Sequence, residues 1–240
     1  MRVAGILLPI QSIPRTDIPG GLREACIRAI DTFASFGLGV WQILPLNPPD
    51  FVGSPYASPS AFALDPELLH GLAGDIPDPS RSDLDVWLAS SEWANSWALF
   101  RILKSINPRS WVDWGRWSNP SAKELDRLRL DNEEDYWGEI GIQWKLDHAM
   151  ELIETHARKN GILMLGDIPL YVAHDSADMW NSKELFNIGP NGEPLEQSGA
   201  PPDSFNPLGQ LWGNPTYDWP AHRKSGYEWW KKRVETASRR

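Results

Sequence analysis

The sequence predicts an α/β fold with parallel strands, and three observations predict it. Apolar runs of strand length stand at residues 3–8, 40–44 and 162–165. The first two are joined by a helix-length segment, a connection that antiparallel neighbours do not need. Each run is followed by proline and then by a stretch with no regular periodicity, the pattern of strands that end in site-bearing loops.

The first strand, residues 3–8, is read as buried and is stopped by Pro9 and Pro14. Gly20-Gly21 opens a helix over residues 22–36, with Leu22, Cys26, Ala29, Ile30 and Phe33 on one face and Gly37 as its stop. The second strand, residues 40–44, closes at Pro45. The loop at 47–60 follows, rich in proline and serine and carrying Phe51 and Tyr56. Its stiffness lowers the entropy lost on holding a ligand, although the same composition also makes an ordinary surface connection.

From about residue 82 to 160 the period turns helical. Trp93, Trp97, Phe100 and Leu103 share a face, and Asn107-Pro108 ends that helix. Asn119-Pro120 begins a second helix, with Ser121 and Glu124 at capping-box spacing. A third runs over residues 133–159, with Ile142, Leu146, Ala149, Met150 and Ile153 on one side and Asn160-Gly161 after it. These stripes are core. A crossover of this size reads as a helical subdomain inserted in a barrel, which divides the chain at 1–66, 67–160 and 161–240.

The third strand, residues 162–165, delivers Asp167 to a point where Pro169 interrupts regular pairing. A carboxylate at the end of a buried strand, before a polar and aromatic loop, fits an active-site group of an α/β barrel; an isolated Asp there could equally cap a helix or tie its own loop. The chain then reads as irregular to about Pro215, with Pro190-Asn191-Gly192 as a turn of a small hairpin. A loop of that length in a compact domain is usually functional or disordered, and its last part, residues 199–215, mixes an acid, aromatics and carboxamides unlike a disordered linker. From Ser225 the pattern is helical again, through Tyr227, Trp230 and Val234.

Composition narrows the function. The net charge of −9 and a pI near 5.0 argue against nucleic-acid or anionic-membrane partners, which require a basic face. No run approaches a membrane span and no signal peptide is read, so a cytoplasmic location is the default. Cys26 has no partner for an internal disulfide and reads as a buried apolar thiol. The five histidines lack metal-ligand spacing, and no glycine-rich phosphate loop occurs. Fourteen tryptophans offer flat faces with a polar edge, a chemistry that suits sugar rings, though most tryptophans serve packing.

With those segments in place, the chain resembles the N-terminal half of the 4-alpha-glucanotransferases (amylomaltases or disproportionating enzymes, glycoside hydrolase family 77). The resemblance rests on Gly5-Ile6-Leu7-Leu8 with Ser12-Ile13-Pro14, on Trp41-Gln42-Ile43-Leu44-Pro45-Leu46, and on Ser54-Pro55-Tyr56 with Ser60-Ala61-Phe62-Ala63. Gly166-Asp167-Ile168-Pro169, Asp175-Ser176-Ala177, Pro201-Pro202-Asp203 and the run from Gly209 to Pro215 extend it to about Trp230. It implies the N-terminal part of a (β/α)8 barrel with an inserted helical subdomain, no required cofactor, and an α-1,4-glucan such as a maltooligosaccharide or starch as partner. The implied reaction transfers a glucosyl segment to a sugar acceptor by a retaining double displacement, with its nucleophile and acid carboxyls roughly 5 Å apart. Excluding water favours transfer over hydrolysis.

By the same resemblance Tyr56 would stack on a glucose ring with Ser54 beside it, and Asp167 would lie next to the bound sugar. Asp203, Phe205, Gln210 and Trp212 would form a lid over the donor chain, supported by Asn214. For Asp203 and Asn214, loop-building roles are equally open. Pro9 stands where the family usually has His, and Phe51 where it often has Tyr. The family's catalytic Asp follows the helix at Ser225–Ala237 in a strand reading roughly V-R-I-D-H-F; no such strand is found before Arg240. The resemblance therefore implies an incomplete barrel with an exposed sheet edge, unstable by itself, that lacks the catalytic carboxylates. A C-terminal half supplied in trans is one partner that would complete it. The alternatives are a non-catalytic glucan-binding remnant, and a small glycosidase using Asp167 and Asp203 as its acid pair.

Overall fold

A computed structural model of the chain describes residues 2–14, 21–50 and 53–240. Gly20 and Phe51, both invoked above, lie outside the described residues. Strands β1 (Gly5–Leu7), β2 (Val40–Gln42) and β3 (Leu163–Leu165) form a parallel sheet in the order β1-β2-β3. Gly5 is in register with Val40, and Val40 with Leu163. The α/β class is thus as expected, and all three strands end on the same side. Among the described residues the sheet has three strands and is not a closed barrel.

One expectation fails. The sequence predicts a buried first strand, but Leu7 is 56% exposed, and Leu163 and Leu165 of the third are 65% and 47% exposed. Alternation explains this. Ile6, Trp41 and Met164 point to the helix layer, where Trp41 is fully buried and donates its indole N–H to the Leu8 carbonyl at 2.8 Å. The other face of the sheet carries the exposed leucines.

The helix layer under the sheet is α1 (Gly21–Ser35), α2 (Leu69–Ala73) and the C-terminal half of α6 (Glu133–Lys159). Leu22, Cys26, Ile30 and Phe33 of α1 meet Leu146, Met150 and Ile153 of α6. The N-terminal half of α6, through Tyr136 and Ile140, enters a second core with Trp97, Phe100 and Leu103 of α4 (Trp93–Ile106), and with Trp111, Trp114, Trp180 and Trp229. At 1.5 Å rise per residue, a helix of 27 residues is about 40 Å long, enough to tie both cores together. Smaller helices complete this part: α3 (Arg81–Leu88) and α5 (Ala122–Asp131). The expected capping box is present at α5, where Ser121 Oγ accepts from the Glu124 amide and the Glu124 carboxylate accepts from the Ser121 amide.

The stretch read as irregular to Pro215 is a second correction. It holds a one-turn helix α7 (Ala177–Asn181) and an antiparallel pair, β4 (Gln197–Ala200) and β5 (Gln210–Pro215). Five residues are too few to display a helical period, and α7 is recognisable only by its cap, Ser176 Oγ accepting from the Met179 amide at 3.2 Å. The pair hides its alternation behind glycine. A Cβ at Gly199 would meet the Gln210 carbonyl oxygen at 2.2 Å, so only glycine allows β4 to approach β5 so closely. The turn at residues 190–192 is present, closed by the Gly192 amide on the Gly189 carbonyl, with a single bridge between Ile188 and Pro194. Two helices end the chain, α8 (Trp219–Lys224) and α9 (Glu228–Ala237).

Candidate functional site

The loops after β2 and β3 meet at the strands' C-terminal ends, where open α/β sheets place their ligands. The first loop is made rigid by its own polar groups. Asn47 Nδ2 donates to the carbonyls of Ser60 and Ala63 at 3.2 and 3.1 Å, pinning both ends. Asp50 accepts the Ser54 amide on Oδ1 at 2.8 Å and donates its own amide to the Ser54 carbonyl at 2.9 Å. Ser54 Oγ in turn accepts the Tyr56 amide at 3.3 Å, capping a single 3-10 turn over Pro55–Ala57. Ser54 thus supports Tyr56 from its backbone side.

Tyr56 emerges from this turn with its side chain 46% exposed, and its hydroxyl donates to Asp167 Oδ2 at 2.7 Å. The hydrogen bond to Asp167 holds the Tyr56 hydroxyl above its usual pKa, with loss of solvent adding to it. Two residues that are 111 apart in sequence thereby present one aromatic face beside one carboxylate. Asp167 sits two residues past the end of β3, as expected.

The rest of the expected site forms a separate group. Gln210 and Trp212 lie two apart on β5, on one side of the ribbon, and the Trp212 indole donates to Gln210 Oε1 at 3.0 Å. Trp212 is 50% exposed, and Phe205, in the 201–209 connection, is 95% exposed. Asp203 builds that connection, its Oδ1 accepting the amides of Phe205 and Asn206 at 2.8 and 2.7 Å. Asn214 is buried and donates to the Val172 carbonyl at 2.8 Å, fastening β5 to the segment after β3. For Asp203 and Asn214, these are the loop-building alternatives. No hydrogen bond among the described residues joins the Tyr56–Asp167 pair to Gln210, Trp212 or Asp203.

Sequence reasoning missed the groups beneath the site. Asp178 on α7 is buried, with Oδ2 accepting the Ala61 amide at 2.7 Å and Oδ1 the Trp229 indole at 3.2 Å. Burial pushes its carboxyl up; the Ala61 amide and the Arg233 charge oppose that shift. Arg233 on α9 is also buried, with its guanidinium 5.2 and 5.1 Å from the Trp229 and Trp230 ring centres. The signal for it was available: a cation four residues after Trp229, on the apolar face of an amphipathic helix.

His222 on α8 is fully buried among Tyr217, Trp219 and Trp229, with ring centres 5.3 to 6.0 Å away and, among the described residues, no hydrogen bond to either ring nitrogen. Burial lowers its pKa from the ordinary 6.5, against smaller opposing effects of the Leu185 carbonyl and Asp218. The unfolded chain therefore takes up this proton more readily than the folded one, so stability should fall as pH drops through the ordinary value towards the depressed one. Urea midpoints measured between about pH 7.5 and 5.5 should show this loss in the wild type and less of it in His222→Phe. Equal slopes would assign the loss to other groups.

Among the described residues no cluster of His, Cys, Asp or Glu is arranged to hold a metal ion, and no helix is long and apolar enough to cross a membrane.

The chain is similar to the 4-alpha-glucanotransferase of Aquifex aeolicus, 32% identical over 98% of this chain and 56% of the relative. It is likewise 34% identical to that of Synechocystis, again over 98% of this chain and 56% of the relative. Among solved structures it is similar to the amylomaltase of Streptococcus agalactiae in complex with acarbose, with a TM-score of 0.85 and 25% identity over 98% of this chain and 57% of that one. The chain thus spans about half the length of the relatives it matches. The family model described as 4-alpha-glucanotransferase matches residues 8–73 and 73–240, so the chain belongs to the 4-alpha-glucanotransferases of glycoside hydrolase family 77.

Proposed function

We propose that these 240 residues are the glucan-gripping part of an enzyme that moves a segment of an α-1,4-glucan to a sugar acceptor. The observation that carries this reading is the Tyr56–Asp167 pair at the strand ends. An exposed aromatic face can cover the apolar side of a glucose ring while a carboxylate beside it accepts from the ring's hydroxyls. Tyr56 and Asp167 hold the sugar, Ser54 fixes Tyr56, and the β4–β5 ribbon with Phe205, Gln210 and Trp212 closes over the chain. Asp203 shapes the ribbon's connection and Asn214 anchors its base.

In this reading the sheet is the first part of a (β/α)8 barrel, and α3, α4 and α5 with the first half of α6 form the inserted helical subdomain. The exposed face carrying Leu7, Leu163 and Leu165 is the side on which further strands close, from the same polypeptide or from a C-terminal half in trans. The retaining double displacement is carried by carboxylates in the half of the relatives' length that this chain does not match. The present residues alone bind glucan without turning it over.

The test pairs calorimetric titration of the 240-residue chain by maltoheptaose with chromatography of a maltotriose incubation. Saturable binding and untouched maltotriose are expected. Glucose accompanied by longer maltooligosaccharides would show that the nucleophile lies within these residues. Absence of binding would remove the glucan reading.

A further inference from the structure

Beyond Leu165 the chain leaves the sheet, and the backbone carrying Asp167 loses its ladder partners. Buried carbonyls in such a segment must be met by other donors. Here the carbonyls of Pro169, Leu170 and Val172 are met by side chains from α9, from β5 and from the residues between β5 and α8. Arg233 donates through Nη2 to the Pro169 carbonyl and through Nη1 to the Leu170 carbonyl, the latter at 3.2 Å. Tyr217 gives its hydroxyl hydrogen to Leu170 at 2.8 Å, and Asn214 its amide hydrogen to Val172 at 2.8 Å. Arg233 also borders the small cavity walled by Asn47, Gly166 and Asp167.

A fully buried guanidinium is costly, and an apolar side chain of similar volume is often at least as stable in its place. What Arg233 supplies, and an apolar residue cannot, is a rigid fork aimed at two consecutive carbonyls, two and three residues after Asp167. Its charge is countered by the buried Asp178, which lies on α7 and is itself held by the amide of Ala61 in the Tyr56 loop. The fork thus grips the backbone behind Asp167, while its charge is felt by the carboxylate that holds Ala61 at the end of the Tyr56 loop.

We propose that Arg233 is a positioning residue: by gripping the Pro169 and Leu170 carbonyls it sets the Asp167 carboxylate where the Tyr56 hydroxyl, and a sugar hydroxyl beside it, can reach it. The sugar-binding consequence rests on the proposed function, whereas the placement of Asp167 against Tyr56 does not.

The experiment uses the full chain with carbon-13-labelled tyrosine, Tyr56 being assigned with Tyr56→Phe. In the wild type the Tyr56 hydroxyl titrates above the ordinary tyrosine value, and Asp167→Asn brings it down. Arg233→Lys keeps the charge but loses the fork. It should shift the Tyr56 midpoint in the same direction as Asp167→Asn and weaken maltoheptaose binding about tenfold, while circular dichroism stays that of the wild type. Tyr217→Phe, which removes one donor to Leu170 without touching charge, should give a smaller shift of the same sign and serves as the test if Arg233→Lys does not fold. Leu146→Ala, in the other core, controls for destabilisation alone and should lower Tm without moving the Tyr56 midpoint. A wild-type Tyr56 midpoint in folded Arg233→Lys, or in Tyr217→Phe if the former does not fold, would overturn the proposal, as would an equal shift in Leu146→Ala. Shifted midpoints in a chain that binds no glucan would retain the positioning role and reject the glucan reading instead.

Discussion

Asp178→Ala is expected to lower the unfolding free energy by about 3–5 kcal/mol, from two buried donors stripped of their acceptor and a buried guanidinium stripped of a nearby opposite charge. Three groups lose their partner at once. The Ala61 amide and the Trp229 indole are left as buried donors without acceptors, each costing about 1–3 kcal/mol by itself. Arg233 loses the one carboxylate among the described residues that opposes its charge, since its own hydrogen bonds go to the neutral acceptors Pro169, Leu170 and Tyr217. Asp178→Asn should cost less, because a carboxamide oxygen still serves one of the two donors, though the guanidinium remains uncompensated. Urea midpoints of both variants check the order. A cost for Asp178→Ala below about 0.5 kcal/mol, the usual range of a surface substitution, would mean that the network does not hold these elements together.

The contrast between Asp178 and the elements around it shows what the sequence made legible. The helix at 133–159 matches α6 because a long apolar stripe, a glycine stop and flanking polar residues all agree. The strand positions were legible from apolar runs cut by proline, although each ladder is shorter than its run, since pairing ends where the loops begin. That Leu7 and Leu163 lie open was not legible in the runs themselves, because a run of apolar residues states preference for burial, not what is there to cover it. Tyr56 and Asp167 were singled out from rigidity, strand-end position and resemblance. Their hydrogen bond, spanning 111 residues, has no local signal. Asp178 was hidden for a different reason: its partners are a backbone amide, an indole and a distant arginine, none of which leaves a spacing to read. The ribbon of β4 and β5 was missed because glycine and asparagine occupy positions where alternation would have shown.

The glucan-binding prediction turns on the pair that could not be read locally. Tyr56→Ala should weaken maltoheptaose binding about 30-fold, near 2 kcal/mol, from the aromatic surface that no longer covers a sugar ring. Asp167→Ala should cost about as much, since a hydrogen bond to a charged acceptor contributes about 1.5–3 kcal/mol. Tyr56→Phe separates the two roles of the tyrosine. It keeps the face and removes the donor to Asp167, so the loss should be only about threefold, because the carboxylate that meets the sugar remains and loses only its holding partner. If the hydroxyl acts by holding the carboxylate in place, Tyr56→Phe and Asp167→Asn must be non-additive, the double variant binding more tightly than the sum of the single losses requires. Additive losses would make Tyr56 and Asp167 independent contacts. Unchanged affinity in Tyr56→Ala would put the sugar elsewhere, and the exposed Trp212 and Phe205 of the ribbon are faces that could receive it.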